Sequence, residues 1–284
     1  MSTLDYNFNL DGTLELGTGT PYIVTEWAGY GIQGLRTSDD PRPMDHGSDT
    51  GPEYLNSRVL TLKVTARGES ASGCAGSVDA LLAAWFLDST LDGYGARRQL
   101  SLKMPGYAER LLFGRPRRNT FDMTRINGRR ADGELEFYAP DPRWYSATLH
   151  STVMNLSQAT SGRGYNRGYD YGYGGAVSGD TFLVENAGNF PTLPTIVFTG
   201  PVTNPQVINT TTGLAIRFLI TLDTSDTLSV DFANRTVTLN GTASRYGTKT
   251  GDFFELVKGS NSLKYIASGY TASTATVSWR DAWL

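Results

Sequence analysis

A chain of 284 residues with 39% apolar content is too hydrophobic for disorder and long enough for two ordinary cores. Its 32 glycines and 19% charged residues suit short strands joined by many turns, and a net charge of −3 argues against a dedicated nucleic-acid binder. The single cysteine, Cys74, excludes an intrachain disulfide and points to folding in a reducing cytosol.

The start, MSTLDYNFNLDGTLELG, is acidic and has no apolar h-region of a signal peptide; no apolar run approaches a membrane span. Residues 4–35 read as short strands with turns at Asp11-Gly12 and Gly17-Thr18-Gly19. Residues 36–53 hold three prolines, scattered Asp, Ser and Gly and no periodicity, which predicts an acidic solvated loop. In Arg58–Arg67 the alternation of Leu60, Leu62, Val64 and Ala66 with Thr61, Lys63 and Thr65 predicts a strand. The period then changes. Val78, Leu81, Leu82, Trp85 and Phe86 fall on one helical stripe, with Ser77 as its N-cap and Cys74 just before it. Strands return from Gln99 to Tyr138, and the run Ala139–Tyr145, with Pro140 and Pro142, is an exit from a sheet.

Residues 162–179 space Tyr165, Tyr169, Tyr171 and Tyr173 among glycines, the composition of an extended arm that packs on a domain or a neighbouring subunit. From Thr181 the strands TFLVEN, TIVFTG, AIRFLITL, FFELV, LKYIAS and ATVSWRDAW follow at short intervals, the pattern of a β-sandwich. Their most regular part is Asp226–Gly241. Leu228, Val230 and Phe232 share one face, Val237 and Leu239 resume it, and Asn240-Gly241 supplies a hairpin turn. The expected organisation is therefore mainly β: residues 1–148 a β-sandwich or barrel-like domain with one helix, 149–180 a Gly/Tyr-rich linker or arm, and 181–284 a second β-sandwich.

No catalytic or metal-binding constellation emerges, and no cofactor is implied. His46 and His150 stand far apart without Cys or His neighbours, and Asp45, His46 and Ser48 are too close in sequence for triad geometry. Charge distribution says more. Residues 1–96 carry thirteen acidic and five basic side chains. Residues 97–130 carry ten basic ones, Arg97, Arg98, Lys103, Arg110, Arg115, Arg117, Arg118, Arg125, Arg129 and Arg130, and two acidic. Opposite zones on one domain suit pairing between copies in a head-to-tail ring. Asp39, Asp40 and Asp45 on one side, and Arg97, Arg98, Arg115, Arg117 and Arg118 on the other, are the expected subunit-interface residues.

The second domain also resembles a family. Glu185-Asn-Ala-Gly-Asn189, Pro191-Thr-Leu-Pro-Thr-Ile-Val-Phe-Thr-Gly-Pro201, Pro205–Asn209, Asp226–Asp231, Arg235–Gly241, Lys258–Leu263 and Val277–Trp283 are similar, in order and spacing, to the distal tail proteins of siphophages that infect Gram-positive hosts. Gly51-Pro-Glu-Tyr54, the helix and Ala139–Tyr145 fit as well, and Lys258 stands where the family usually has Pro. The resemblance implies a non-enzymatic structural protein of the virion, assembled in the host cytoplasm and placed at the distal end of the tail. Its first domain would form a hexameric ring continuing the tail tube, and its second, galectin-like domain would decorate the periphery. The implied partners are further copies of the chain, the major tail tube protein, the baseplate hub and other minor tail or receptor-binding proteins. DNA would pass through the lumen without specific binding, and nothing would insert into a membrane. The competing reading is a carbohydrate-binding β-sandwich that stacks Tyr165, Tyr171 and Tyr173 on cell-wall sugars.

Overall fold

The structure is a computed structural model that describes residues 6–32, 34–86, 95–156, 181–268 and 272–284. The chain divides into two compact units, Met1–Ala147 with Leu284, and Thr148–Trp283. The four tyrosines of the Gly-rich arm, Tyr165, Tyr169, Tyr171 and Tyr173, lie outside the described residues.

In the first unit β1 (Asn7–Leu10) and β2 (Leu14–Leu16) form a hairpin whose turn holds Asp11 and Gly12 at positive φ. After β3 (Tyr22–Ala28) the chain leaves the sheet. It does not run as the expected loop. β4 (Leu35–Arg36) pairs with β7 (Tyr54–Leu55), and β5 (Asp40–Pro41) with β6 (Ser48–Asp49), so residues 35–55 form a two-stranded arm. Neither face of the arm is buried, so no alternation marks it in the sequence. β8 (Arg58–Arg67), β9 (Arg98–Lys103), β10 (Arg110–Asp122), β11 (Arg130–Ala139) and β12 (Trp144–Ser146) complete the unit.

The strands run in the order β2-β1-β9-β10-β11-β8-β3, antiparallel throughout, with β12 beside the start of β10. β10 belongs to both halves: Arg110–Gly114 pairs with β9, and Arg115–Asp122 with β11. Gly114 marks the change, where an added Cβ would sit 2.2 Å from Tyr138 O. The core is filled as predicted by Leu60, Leu62, Val64 and Ala66, joined by Phe8, Leu100, Leu102, Leu135 and Phe137. No ladder joins β2 to β3 among the described residues, so of the two expected forms, sandwich or barrel-like, the sheet does not close into a barrel.

The helix, α1 (Ala71–Ala84), is capped about two turns before the predicted cap. Its N-cap is Ser70, whose Oγ accepts from Gly73 N–H at 3.0 Å, while Ser77 Oγ donates to Gly73 O inside the helix. Gly73, Gly76 and three serines give this stretch low helix propensity, which hid it. Cys74 is therefore a buried helical residue, with Val78, Leu81 and Trp85, and Phe86 is exposed. Trp85 meets Phe137 edge-on at 6.2 Å and Tyr22 Oη donates to Ser77 O, which fixes α1 against the sheet.

The second unit holds β13 (His150–Asn155), β14 (Thr181–Asn186), β15 (Thr195–Thr199), β16 (Val202–Thr203), β17 (Gln206–Asn209), β18 (Leu214–Phe218), β19 (Thr221–Leu222), β20 (Thr227–Asp231), β21 (Thr236–Leu239), β22 (Ala243–Ser244), β23 (Lys249–Gly251), β24 (Gly259–Ile266) and β25 (Thr274–Trp279). One sheet has the order β13-β25-β15-β20-β21-β22, and the other β14-β24-β17-β18-β23. Phe198 of the first meets Phe218 at 5.7 Å and Tyr265 at 5.6 Å of the second, so the core of this sandwich is contributed by both sheets. β13 begins at His150, inside the stretch expected to be linker. It pairs along its whole length with β25, and Met154 is buried, so six residues of that stretch are sheet.

The predicted strand FFELV is also corrected. Phe254 and Leu256 are buried, yet residues 252–255 join no ladder, and Leu256 makes only an isolated bridge to Thr192. Three fully buried asparagines hold this strap. Asn186 Nδ2 donates to Leu256 O, and Asn209 Nδ2 to Glu255 O. Asn261 accepts from Val257 N–H and donates to Val257 O. Amide side chains thus replace the ladder the strap lacks.

The hairpin β20–β21 stands as predicted, with Leu228, Val230, Phe232 and Val237 buried. Asn240 and Gly241 have φ of 51° and 73°. Asp231 Oδ1 accepts from Ala233 and Asn234 N–H, and Asp226 Oδ1 accepts from Asn240 Nδ2 at 2.9 Å. The Asn240 hydrogen bond, with the backbone of Asp223 second, holds the Asp226 carboxyl below the usual carboxylate range. A depressed folded value gives stability that is present above the unfolded pKa and lost as pH falls through the folded one. Asn240→Gly keeps the turn but removes the amide. NMR titration of Asp226 in that variant is expected to move up toward the ordinary carboxylate range, with the Asp223 N–H bond still holding part of the depression; an unchanged titration would refute the assignment.

Candidate subunit interface

The residues expected at an interface fall in three places. Asp39, Asp40 and Asp45 lie on the arm, where every residue from 35 to 50 is exposed. Their contacts are local: Asp39 Oδ1 accepts from Gly51 N–H, Asp40 faces Asp49 across the ribbon, and Asp45 Oδ1 accepts from His46 N–H. Arg42 pairs with Asp49 at 2.9 Å.

Arg97 is exposed just before β9, and Arg98 opens that strand. Arg98 is engaged inside the unit, 3.5 Å from Asp11 and donating to Ala84 O. Arg115 likewise donates to Ala96 O. Arg117 and Arg118 differ. Both are exposed on β10 at a register shift between Pro116 and Asn119. The Arg117 guanidinium lies 3.5 Å from the Tyr138 ring centroid, and Arg118 is 3.6 Å from Glu134 at the surface. No ion pair among the described residues joins the aspartates of the arm to these arginines.

The strands that carry these residues leave two edges open. β3 pairs with β8 on one side, and beyond Tyr22 no strand among the described residues takes its other side. β10 pairs with β11 over Arg115–Asp122, and β9 stops at Gly114 on the opposite side. Between those edges the face away from α1 is polar, with Lys63 bonded to Glu26 at 2.7 Å and Asp132 taking hydrogen bonds from Thr65 and Arg130. The Arg130 and Thr65 bonds hold the Asp132 carboxyl below its ordinary range.

Sequence reasoning missed the residue that roots the arm. Arg58 is 1% exposed, and its guanidinium donates to Gly29 O at 2.6 Å, Gly31 O at 2.7 Å and Pro142 O at 2.7 Å. It lies over the Trp144 ring at 5.3 Å. Burial lowers its pKa to about 10, against the opposing pull of Tyr30 and Asp141. Its place on the inward side of the alternation, in step with Leu60 and Leu62, was the available signal. The histidines stay apart: His46 is exposed on the arm, and His150 belongs to the second unit, 3.2 Å from Asp281 and stacked on Trp279. No group of three or more His, Cys, Asp or Glu suited to a metal occurs among the described residues.

Residues 187–283 match the family described as siphovirus-type tail component, C-terminal domain. The crystal structure of the SPP1 Dit protein, described as a paradigm of the hub adsorption apparatus in phages infecting Gram-positive bacteria, aligns with 98% of this chain and 99% of its own. Its TM-score is 0.68 at 16% identity. The phage P2 baseplate in its activated conformation, solved with calcium and with strontium, contains chains that align at TM-scores of 0.54 and 0.52 and 14% and 13% identity. Each alignment covers 96% of this chain and 97% of the other. No curated protein matches the chain in sequence. Residues 187–283 thus match the siphovirus-type tail components, and over its length the chain has the fold of the SPP1 Dit protein.

Proposed function

We propose that the first unit closes into a ring, hexameric in the simplest case, that joins the tail tube to the baseplate hub. The observation that carries this is the pair of open edges. β3, β8, β11 and β10 alternate in direction, so β10 of one copy set beside β3 of the next continues the antiparallel order. Each edge has a register shift, between Val24 and Glu26 and between Pro116 and Asn119, and bulges supply the bend a closed ring needs. A contact that uses different patches on its two sides makes rings when the rotation closes.

The polar face between the edges, with Lys63, Glu26, Glu134 and Asp132, then lines the passage. DNA crosses it without specific binding. The second unit, a galectin-like sandwich, stands outside the ring and supports peripheral minor tail or receptor-binding proteins. The part is structural and not enzymatic, the virion site is the distal end of the tail, and assembly takes place in the host cytoplasm. Arg117 and Arg118, at the bulge on the β10 edge, are the interface residues on this reading; Arg98 and Arg115 serve their own unit. Arg117→Glu with Arg118→Glu is expected to turn oligomers into monomers in native mass spectrometry, with the circular-dichroism spectrum of the folded chain retained. Intact oligomers in the double variant overturn the edge contact.

A further inference from the structure

We infer that the acidic arm, residues 35–55, docks into an arginine-lined cleft at the far end of the same sheet in a second copy of the chain. The inference rests on the self-association proposed above and adds a second contact to it.

The arm needs a partner surface. A two-stranded ribbon alone is marginal in water, and this one buries neither face: residues 35–50 are all exposed, and Met44 at its tip is 100% exposed. Its chemistry is acidic. Asp39, Asp40, Asp45, Asp49 and Glu53 outnumber Arg36 and Arg42, and among the described residues only Asp49 of these is in an ion pair, with Arg42.

The complementary surface is on the same unit. Arg67, Gly68, Gly128, Arg129 and Arg130 line an open cleft of about 310 Å³. Arg67 is the last residue of β8, and Arg129, at φ 59°, leads into β11. Gly68 N–H donates to Arg129 O at 3.3 Å, which ties the two sides of the cleft together. Arg130 is shared with Asp132 at 2.8 Å. Arg67 and Arg129 are exposed and make no ion pair with a carboxylate among the described residues.

Position decides between docking within a copy and docking between copies. The arm leaves the sheet between Ala28 and Arg58, at the start of β8, and the cleft sits at the end of β8. A copy therefore presents an acidic projection at one end of its sheet and a basic receptor at the other, the two halves of a head-to-tail contact. The reach fits: about ten residues from root to tip at roughly 3.3 Å each span ~33 Å, as do the 10 residues of β8. The arm of one copy can run the length of its neighbour's sheet.

The test mixes two full-length preparations, both with Cys74→Ser, one with Asp45→Cys and one with Arg129→Cys, under mild oxidation. The expected result is a disulfide-linked heterodimer on a denaturing gel. It should fall at least tenfold when the cleft partner also carries Arg67→Glu, and recover when the arm partner carries Asp39→Lys and Asp40→Lys. Oligomers in native mass spectrometry without the cross-link overturn the arm contact and leave the ring reading standing. Monomers at every concentration, without the cross-link, overturn both. An absent cross-link together with DNA 20-mer binding that Arg67→Glu abolishes assigns the cleft to phosphates and overturns the inference.

Discussion

Asn186→Leu is expected to cost the second unit about 3–5 kcal/mol, a large part of the roughly 5–15 kcal/mol that holds an ordinary domain together. The side chain is fully buried and serves four backbone groups. Its Nδ2 donates to Phe190 O at 2.8 Å and to Leu256 O at 3.3 Å, and its Oδ1 accepts from Gly188 N–H at 3.1 Å and Ala282 N–H at 3.3 Å. Leucine matches its volume and none of these bonds. Each buried group left unpaired costs about 1–3 kcal/mol, reduced where the backbone can relax. Relaxation is limited here, because a Cβ on Gly188 would already sit 1.9 Å from Ala282 O. Calorimetry should show the unit's transition lowered by roughly 10 °C or more, and hydrogen exchange should show early loss of protection at Gly188 and Ala282, whose N–H groups Asn186 Oδ1 accepts. A change below about 1 kcal/mol would mean that solvent or a rearranged strap replaces the amide.

The same site shows how far sequence reasoning reaches. Period-2 alternation located β8, β15, β20, β21 and β25, because each has one buried face and the pattern is a direct record of it. It failed where burial and regular pairing part company. Phe254 and Leu256 are as buried as any strand residue, so Phe253–Val257 reads as strand, but its partners are side-chain amides, two of them, Asn186 and Asn209, distant in sequence. The asparagines themselves read as surface residues, since Asn is buried only when its bonds are satisfied, and those partners are invisible before folding. The resemblance to distal tail proteins did mark Asn186, Asn209 and Asn261 within its motifs; the structure gives the physical reason for them.

The interface was legible in kind more than in detail. Opposite charge zones can be counted along the chain, and each has exposed members in the fold, Asp39, Asp40 and Asp45 in one and Arg97, Arg117, Arg118 and Arg129 in the other. Which arginines remain available depends on tertiary contacts: Arg98 is taken up by Asp11 and Ala84, and Arg115 by Ala96, while Arg67 and Arg129 are drawn together by the β8–β11 pairing. The arm was read as a loop because an element that buries nothing in its own copy leaves no hydrophobic period. On the docking inference, the surface that would explain its sequence lies on another molecule.

Arg58→Met carries the second large effect, and it links stability to the arm. Methionine fills much of the space over Trp144 but leaves Gly29 O, Gly31 O and Pro142 O without their donor. The expected loss is about 3–5 kcal/mol for three buried carbonyls with partial relaxation, and about half that for Arg58→Lys, whose ammonium lacks the planar fork. Gly29 and Gly31 precede the arm, so Arg58→Met should also raise hydrogen exchange at residues 29–32 more than in β10. The pH dependence separates a carbonyl clamp from an ion pair. The folded pKa of Arg58, about 10, lies below its unfolded value, so its share of stability changes with pH only above that point, rising as pH climbs from about 10. The difference between wild type and Arg58→Met should therefore be flat from about pH 6 to 9. If Arg58 were held chiefly by the Asp141 carboxylate, the difference would shrink as pH fell through the carboxylate range. Asp141 is instead engaged by Arg143 at 3.2 Å and by the Tyr145 hydroxyl at 2.6 Å. The clamp consequently depends on backbone geometry, which is why lysine, with the same charge, should not replace it.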